Sequence, residues 1–222
     1  MDAIPERPRA VRPRHAASLV LIDSSGEEPC ILMGRRHARM KFIPDAFVFP
    51  GGKLDPGDLL AQPATPLRDA TMKALNAAGT RTPLATALAL AAVRETFEET
   101  GLMLSAPGHP GVGKGWEGFA GAGHAAALDG LDFIARAITP ASSPIRFHAR
   151  FFSAAAPQAR GSLQGSGELL DLDWYPLSQA LKLPLIDVTE FVLEEVAKRA
   201  AGSERPRPPL YSYRNERPLV RG

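Results

Sequence analysis

Residues 93–101 read VRETFEETG. On a helix, Glu95, Glu98 and Glu99 stand at i, i+3 and i+4 and share one face. Like charges at those separations repel by roughly 0.2–0.5 kcal/mol per pair. A glycine follows at once, so the three acids also crowd the negative end of the helix dipole. A divalent cation removes both conflicts. Hard cations such as Mg²⁺ take carboxylate oxygens and keep water positions that a phosphate substrate can use. Arg94 stands four residues before Glu98 and can pair with it. Taken alone, the same residues also read as a solvated acidic face, so the neighbouring segments have to decide.

Upstream stands FPGGKLDPGD (49–58). A Gly-Gly turn lets backbone approach a ligand closely and present a carbonyl or an amide to it. Asp58 adds a fourth carboxylate. The elements that would position these groups follow from pattern. ASLVLID (17–23) and CILMGRR (30–36) are β-prone runs around the turn-forming SSGEEP, which reads as a hairpin. AFVF (46–49) leads into the Gly/Pro/Asp loop. Residues 59–93 are rich in Ala and Leu and mostly helical in pattern. The last helix is predicted from Thr82 as cap and Pro83 at its first position to about Thr100, with Gly101 taking the left-handed cap. RFHARFFSAA (146–155) and LLDLDWYPL (169–177) read as strands, and VTEFVLEEVAKRA (188–200) as an amphipathic helix. GVGKGWEGFAGAG (111–123) lacks the Gly-Lys-Ser/Thr ending of a phosphate loop and reads as a mobile loop.

The whole chain sets bounds. Its 222 residues suit one elaborated domain, and 45% are hydrophobic, the level of a globular protein. With 26 basic and 24 acidic residues the net charge is +2, which gives no broad attraction to nucleic acid or anionic membrane. Cys30 is the one cysteine, so an intramolecular disulfide and a multi-cysteine metal site are excluded. No run approaches the roughly 18 apolar residues of a membrane span. The predicted organisation is a disordered Arg/Pro-rich arm (1–14), a domain over 15–200 with a helical insertion inside 59–93, and a basic tail (201–222).

Together, the two glycine- and acid-bearing stretches resemble the Nudix signature. Gly52, five residues and Asp58 match its first half. Arg94, Glu95, Glu98, Glu99, Gly101 and Leu102 match its second half at the expected spacing. Two features depart from it. Asp58 replaces the usual Glu, and 35 residues (59–93) stand where the signature has seven, an insertion of 28. The resemblance implies an α/β (α+β) fold, an α/β/α sandwich with a mixed central sheet. It implies Mg²⁺- or Mn²⁺-dependent hydrolysis of a nucleoside diphosphate linked to X. Glu95, Glu98 and Glu99 would be metal ligands, with Gly52 through its carbonyl and Asp58 as further candidates. Arg94 and Gly101 would be structural members of the box. One of the glutamates, or Glu168 before the Trp-containing strand, would deprotonate the attacking water.

The split box, MGRRHARMKFIPDAFVFPGG (33–52) and ARAITPASSPIRFHARFF (135–152) are similar to the branch of acyl-CoA diphosphatases, which cleave CoA or acyl-CoA into 3',5'-ADP and (acyl-)phosphopantetheine. Arg35, Arg36 and Arg39 are then candidate phosphate contacts. Phe42, Phe47 and Phe49 could stack on adenine, although aromatic residues in such runs usually belong to the core. ADP-ribose, a nucleotide sugar, NADH, a dinucleoside polyphosphate and a non-catalytic binding role remain as alternatives. The expected partners are a small-molecule nucleotide diphosphate and a second copy of the chain, with no nucleic acid and no membrane. The expected location is cytoplasmic. On this reading, removing much of 59–80 changes substrate preference more than stability.

Overall fold

Alternation in ASLVLID sends Ala17, Leu19 and Leu21 to one side of a strand and Val20 to the other, and all four are buried, so the strand must lie between two apolar layers. The computed structural model, which describes residues 11–39, 43–203 and 207–222, builds those layers. In chain order it contains β1 (Arg14–Asp23), β2 (Cys30–Arg36), β3 (Phe47–Val48), β4 (Gly51–Lys53), α1 (Pro56–Leu60), α2 (Asp69–Ala77) and α3 (Leu84–Thr100). Then follow β5 (Met103–Pro107), α4 (Glu117–Gly121), β6 (His124–Ala126), β7 (Asp132–Ile138), β8 (Phe147–Ala155) and β9 (Ala159–Arg160). The chain continues through β10 (Leu169–Pro176), α5 (Leu177–Ala180), α6 (Asp187–Ala200), β11 (Leu210–Arg214) and β12 (Arg217–Arg221).

Among the described residues the main sheet runs β10-β2-β1-β8-β7-β11-β12, with β3 on β2 and β4 on β1. It is mixed: β1 and β8 run parallel, as do β7 and β11, while the other pairs are antiparallel. α3 packs on one face through Leu88, Leu90 and Val93 against Leu19, Leu32 and Phe152. α6 covers the other face with Phe191, Val192 and Val196 against Val20, Ile31 and Phe151. This is the expected α/β/α sandwich. Among the described residues no helix is long and apolar enough to cross a membrane.

Four expectations change. The helix of the glutamates begins at Leu84 with Pro83 as cap residue. The Thr82 hydroxyl does not cap it but lies 3.4 Å from Met72 Sδ. At the other end Gly101, at φ 75°, takes the left-handed cap as expected, where a side chain would be strained. Second, 111–123 is not a loose loop. Trp116 and Phe119 are fully buried with tilted rings 4.9 Å apart, and Phe119 meets Phe97 of α3 edge to face. Third, the segment read as a basic tail forms the β11–β12 hairpin and joins the sheet beside β7. Arginines had masked the alternation in LYSYR, whose Tyr211 is buried. The predicted arm falls on residues 1–10, outside the described residues, except for 11–14, of which Arg14 opens β1. Fourth, the insertion is part of the core rather than a substrate-facing addition. Leu67 and Leu75 pack against α3 and β7 residues, and the Thr71 hydroxyl donates to the Leu131 carbonyl at 2.7 Å.

Candidate active site

The last turns of α3 and the Gly-Gly turn of β4 are brought together because β4 pairs with β1, across which α3 lies. Gly52 lies so close to Glu95 that a Cβ there would fall 2.4 Å from its carboxylate. Gly51 is equally confined, since its Cβ would meet Ser18 Oγ at 2.4 Å, and its N–H donates to Glu99 Oε2 at 2.9 Å. Only glycines leave this backbone in touch with the acids.

Arg94 organises the other side. Its Nε donates to Asp58 Oδ1 at 2.7 Å and its Nη2 to Asp58 Oδ2 at 3.0 Å, a two-pronged pair in which both residues are almost wholly buried. Nη1 reaches Glu98 Oε2 and Nη2 reaches Glu95 Oε1, each at 3.0 Å, and the Lys53 carbonyl accepts at 3.4 Å. The Asp55 N–H donates to Asp58 at 2.9 Å. Both Asp58 oxygens are therefore committed inside the protein, which corrects the expectation of a metal ligand. Asp58 is the counter-ion that fixes Arg94. The 111–116 segment covers this pair. A Cβ on Gly57 would lie 2.2 Å from the Lys114 carbonyl, and one on Gly115 2.9 Å from Arg94 Cδ.

Burial dominates the electrostatics. It pushes Glu95 up to about 7, with Arg94 opposing and Glu98 adding to the rise. It pushes Glu99 up to about 8 despite the Gly51 N–H, and Glu95 and Glu168 reinforce the shift. Burial alone would lower Arg94, but Asp58, Glu95 and Glu98 outweigh it and hold the guanidinium above its ordinary range. Desolvation and mutual repulsion both disfavour the charged form of these carboxylates, and a positive charge placed beside them would favour it. The donor set therefore fits a hard divalent cation: carboxylate oxygens with backbone at their side. Among the described residues no three acids are already gathered in ligand geometry. Glu98, 43% exposed, is turned toward Arg94 and would have to swing to join Glu95 and Glu99.

Glu95 and Glu99 line a groove of about 680 Å³. Glu168 lines it with Glu95 and Glu99, on a different element, so the loop acid before β10 reaches the same space. Arg36 lines it as well. Arg35, one position earlier on β2, instead pairs with Asp171 at 2.7 Å and Asp45 at 3.0 Å, as neighbours on a strand face opposite ways. Arg39 is exposed and outside the groove lining. Phe47 and Phe49 belong to the core, while Phe42 lies outside the described residues.

Sequence reasoning missed the rest of the groove. Arg14 and Lys53, the latter paired with Asp55 at 3.2 Å, line it too, and Ile138, Phe147, Ile186 and the two tyrosines of β11 give a largely apolar wall. Tyr213 donates its hydroxyl to Asp187 at the start of α6, and Ser142 of the β7–β8 connection donates to Glu216 at 2.7 Å. The alternation Tyr-Ser-Tyr was the available signal for this wall.

Comparison with known proteins agrees with this picture. No protein-family model matches the chain. The chain is 34% identical over 139 residues to the acyl-coenzyme A diphosphatase NUDT19 of Gallus gallus, a match covering 49% of this chain and 37% of that longer protein. A NUDIX hydrolase from Alicyclobacillus acidocaldarius superposes with a TM-score of 0.63 and 29% identity, over 84% of this chain and 92% of that one. The NUDIX domain of Shewanella oneidensis NrtR, solved with ADP ribose, superposes at 0.51 with 14% identity over 88% and 94%, a likeness of fold alone.

Proposed function

We propose that this chain, a Nudix-family protein in fold and in its glutamate helix, is a divalent-cation-dependent diphosphatase whose substrate is CoA or an acyl-CoA. The products would be 3',5'-ADP and (acyl-)phosphopantetheine. The observation that carries the reading is the composition of the groove. Three acids, Glu95, Glu99 and Glu168, line it together with Arg14, Arg36 and Lys53, and apolar side chains such as Ile138, Phe147 and Ile186 line it as well.

A diphosphate brings negative charge that needs the cationic side chains, and its organic limb needs the wall. Mg²⁺ or Mn²⁺ held by Glu95, Glu98 and Glu99 would neutralise the diphosphate and lower the pKa of bound water. The protein's own work is positional. Arg94, fixed by Asp58, sets the direction of Glu95 and Glu98. The Gly51 amide sets that of Glu99. Glu168, which lines the same groove, or one of the box glutamates would take the proton of the attacking water as the phosphoric anhydride bond breaks and the leaving phosphate departs. Phosphoryl transfer asks little covalent help of a protein, so orientation and charge stabilisation suffice. The acids also speak against a purely ligand-sensing role, because a binding module has no need of carboxylates that burial destabilises. A cytoplasmic location and a homodimer complete the proposal.

The test is hydrolysis of CoA, acetyl-CoA, ADP-ribose, NADH and diadenosine polyphosphates with Mg²⁺ or Mn²⁺, with products resolved by chromatography. Preference for a CoA ester, yielding 3',5'-ADP, is the expected result. Preference for another diphosphate keeps the chemistry and overturns the substrate. No turnover on any of them returns the chain to a binding role.

A further inference from the structure

Along β8, Phe147, Ala149 and Phe151 line the groove, so His148 and Arg150 face the opposite side of the sheet, toward α3. Two more basic side chains join them there. His15 of β1 is in register with His148, and Arg136 of β7 with Arg150. The turn between α2 and α3 closes over them through Ala78 and Thr80.

Arg150 is 2% exposed. Its Nε and Nη2 donate to Thr80 Oγ1 at 3.2 and 2.9 Å, and its Nη1 donates to the His148 carbonyl at 2.7 Å and lies 3.1 Å from His15 Nδ1. Arg136 donates from Nη1 to the Ala78 carbonyl at 2.7 Å. Among the described residues its Nε is buried with no hydrogen-bond partner, and so is Nε2 of His148. Among the described residues no carboxylate pairs with either guanidinium. Among the described residues the charges that act on the shifted members of this cluster are positive: Arg150 and Arg12 on His15, Arg136 on Arg150, and Arg136, Arg150 and His15 on His148.

Arginine stays protonated in proteins, and buried charges are as a rule paired. Two guanidinium groups from paired strand positions under one turn, with an orphaned Arg136 Nε–H and an orphaned His148 ring nitrogen, have no negatively charged acceptor among the described residues. We propose that Arg136, Arg150, His148 and Thr80 form a binding site for a small oxyanion of the phosphate class, on the face of the sheet opposite the groove. Guanidinium forks and a hydroxyl suit a tetrahedral oxyanion, and His148 donates to it in the Nε2–H tautomer. Inorganic phosphate and the phosphate of a small monoester share this chemistry. The site also touches the catalytic apparatus through backbone. The His15 carbonyl accepts from Leu54 at 2.9 Å, directly after Lys53, whose carbonyl accepts from Arg94. A ligand that fixes Arg150, whose Nη1 lies 3.1 Å from His15 Nδ1, therefore also bears on the strand bearing the Gly-Gly turn.

The experiment is thermal unfolding of the full chain in EDTA, with inorganic phosphate or glycerol 3-phosphate titrated against chloride at matched ionic strength. The expected result is a saturable rise of roughly 5 °C, lost in Arg136→Met and kept in Arg36→Met, whose residue lines the groove. A stronger response to the monoester than to phosphate would identify an organic phosphate as the ligand, and the reverse order the free ion. An equal rise in wild type and Arg136→Met would be a general salt effect and would overturn the site. Loss in Arg36→Met alone would put the anion in the groove instead. Should Arg136→Met fail to fold, imidazole NMR of the wild type decides: phosphate must shift the His148 signals and leave those of exposed His109 in place. Unmoved His148 signals would refute the proposal.

Discussion

Removing divalent cations and raising the pH should weaken this protein, and the size of the effect can be worked from α3. Glu95 titrates near 7 and Glu99 near 8, both raised from 4.5 first of all by burial. Below pH 4.5 each carboxyl is protonated whether the chain is folded or not. Above it the unfolded chain ionises while the folded chain keeps its protons. The folded state then binds more protons, and stability falls with rising pH until the folded groups also ionise, near pH 7–8. One pKa unit corresponds to about 1.4 kcal/mol, so Glu95 alone accounts for roughly 3 kcal/mol. Part of the Glu99 shift is repulsion from Glu95, so the two are not additive, and the pair is expected to lose on the order of 3–5 kcal/mol. For a chain of this size that lowers Tm by roughly 10 °C. The assay is thermal and urea unfolding in EDTA at pH 5 and pH 8.5, for wild type and for Glu95→Gln/Glu99→Gln. The wild type should lose stability across the window, the double variant should lose much less, and Mg²⁺ should restore the wild type at pH 8.5 only. Equal pH slopes for both proteins would refute the claim that buried acids carry the dependence.

Other outcomes follow from neighbouring geometry. Asp58→Asn leaves Arg94 buried without its two-pronged partner and should cost about 3–5 kcal/mol in urea unfolding, whereas a solvated acid would cost almost nothing. Gly52→Ala places a methyl group against the Glu95 carboxylate, so turnover should fall at least about tenfold with the far-UV circular dichroism spectrum unchanged; normal turnover would separate Gly52 from the site. Leu75→Ala, inside the insertion, should lower stability by about 2–5 kcal/mol and leave the order of preferred substrates as it was, read by unfolding and by relative kcat/KM.

The glutamate helix was legible in the sequence because its signals are local. Spacing of the acids, the glycine that stops the helix and the Gly-Gly turn all follow from rules that operate within a few residues. The alternating strands and α6 were legible for the same reason. What escaped depended on partners distant in the chain. Nothing in KLDPGD says that Asp58 will meet Arg94, 36 positions later, rather than solvent or a cation. The glycines of GVGKGW suggested freedom, yet they serve close approach, to Gly57 and to Arg94. Arg and Pro around LYSYR gave the composition of a solvated tail, while its strand pattern depended on an open edge at β7. The four-residue basic cluster under the α2–α3 turn draws one or two members from each of three strands, and no window contains it.

The parallel union of β1 with β8 has a kinetic consequence. Ala16 and Ala149 are partners across 133 positions of chain. The hairpin of β1 with β2 closes over a handful of residues and can form within microseconds. Everything that turns this hairpin into a groove waits for a loop more than half the chain in length to close. Such closures are entropically slow and place the transition state late in topology. Folding speed should therefore respond to substitutions in β8, such as Phe152→Leu, far more than to equally destabilising ones in α6. The groove would be among the last features of the molecule to exist.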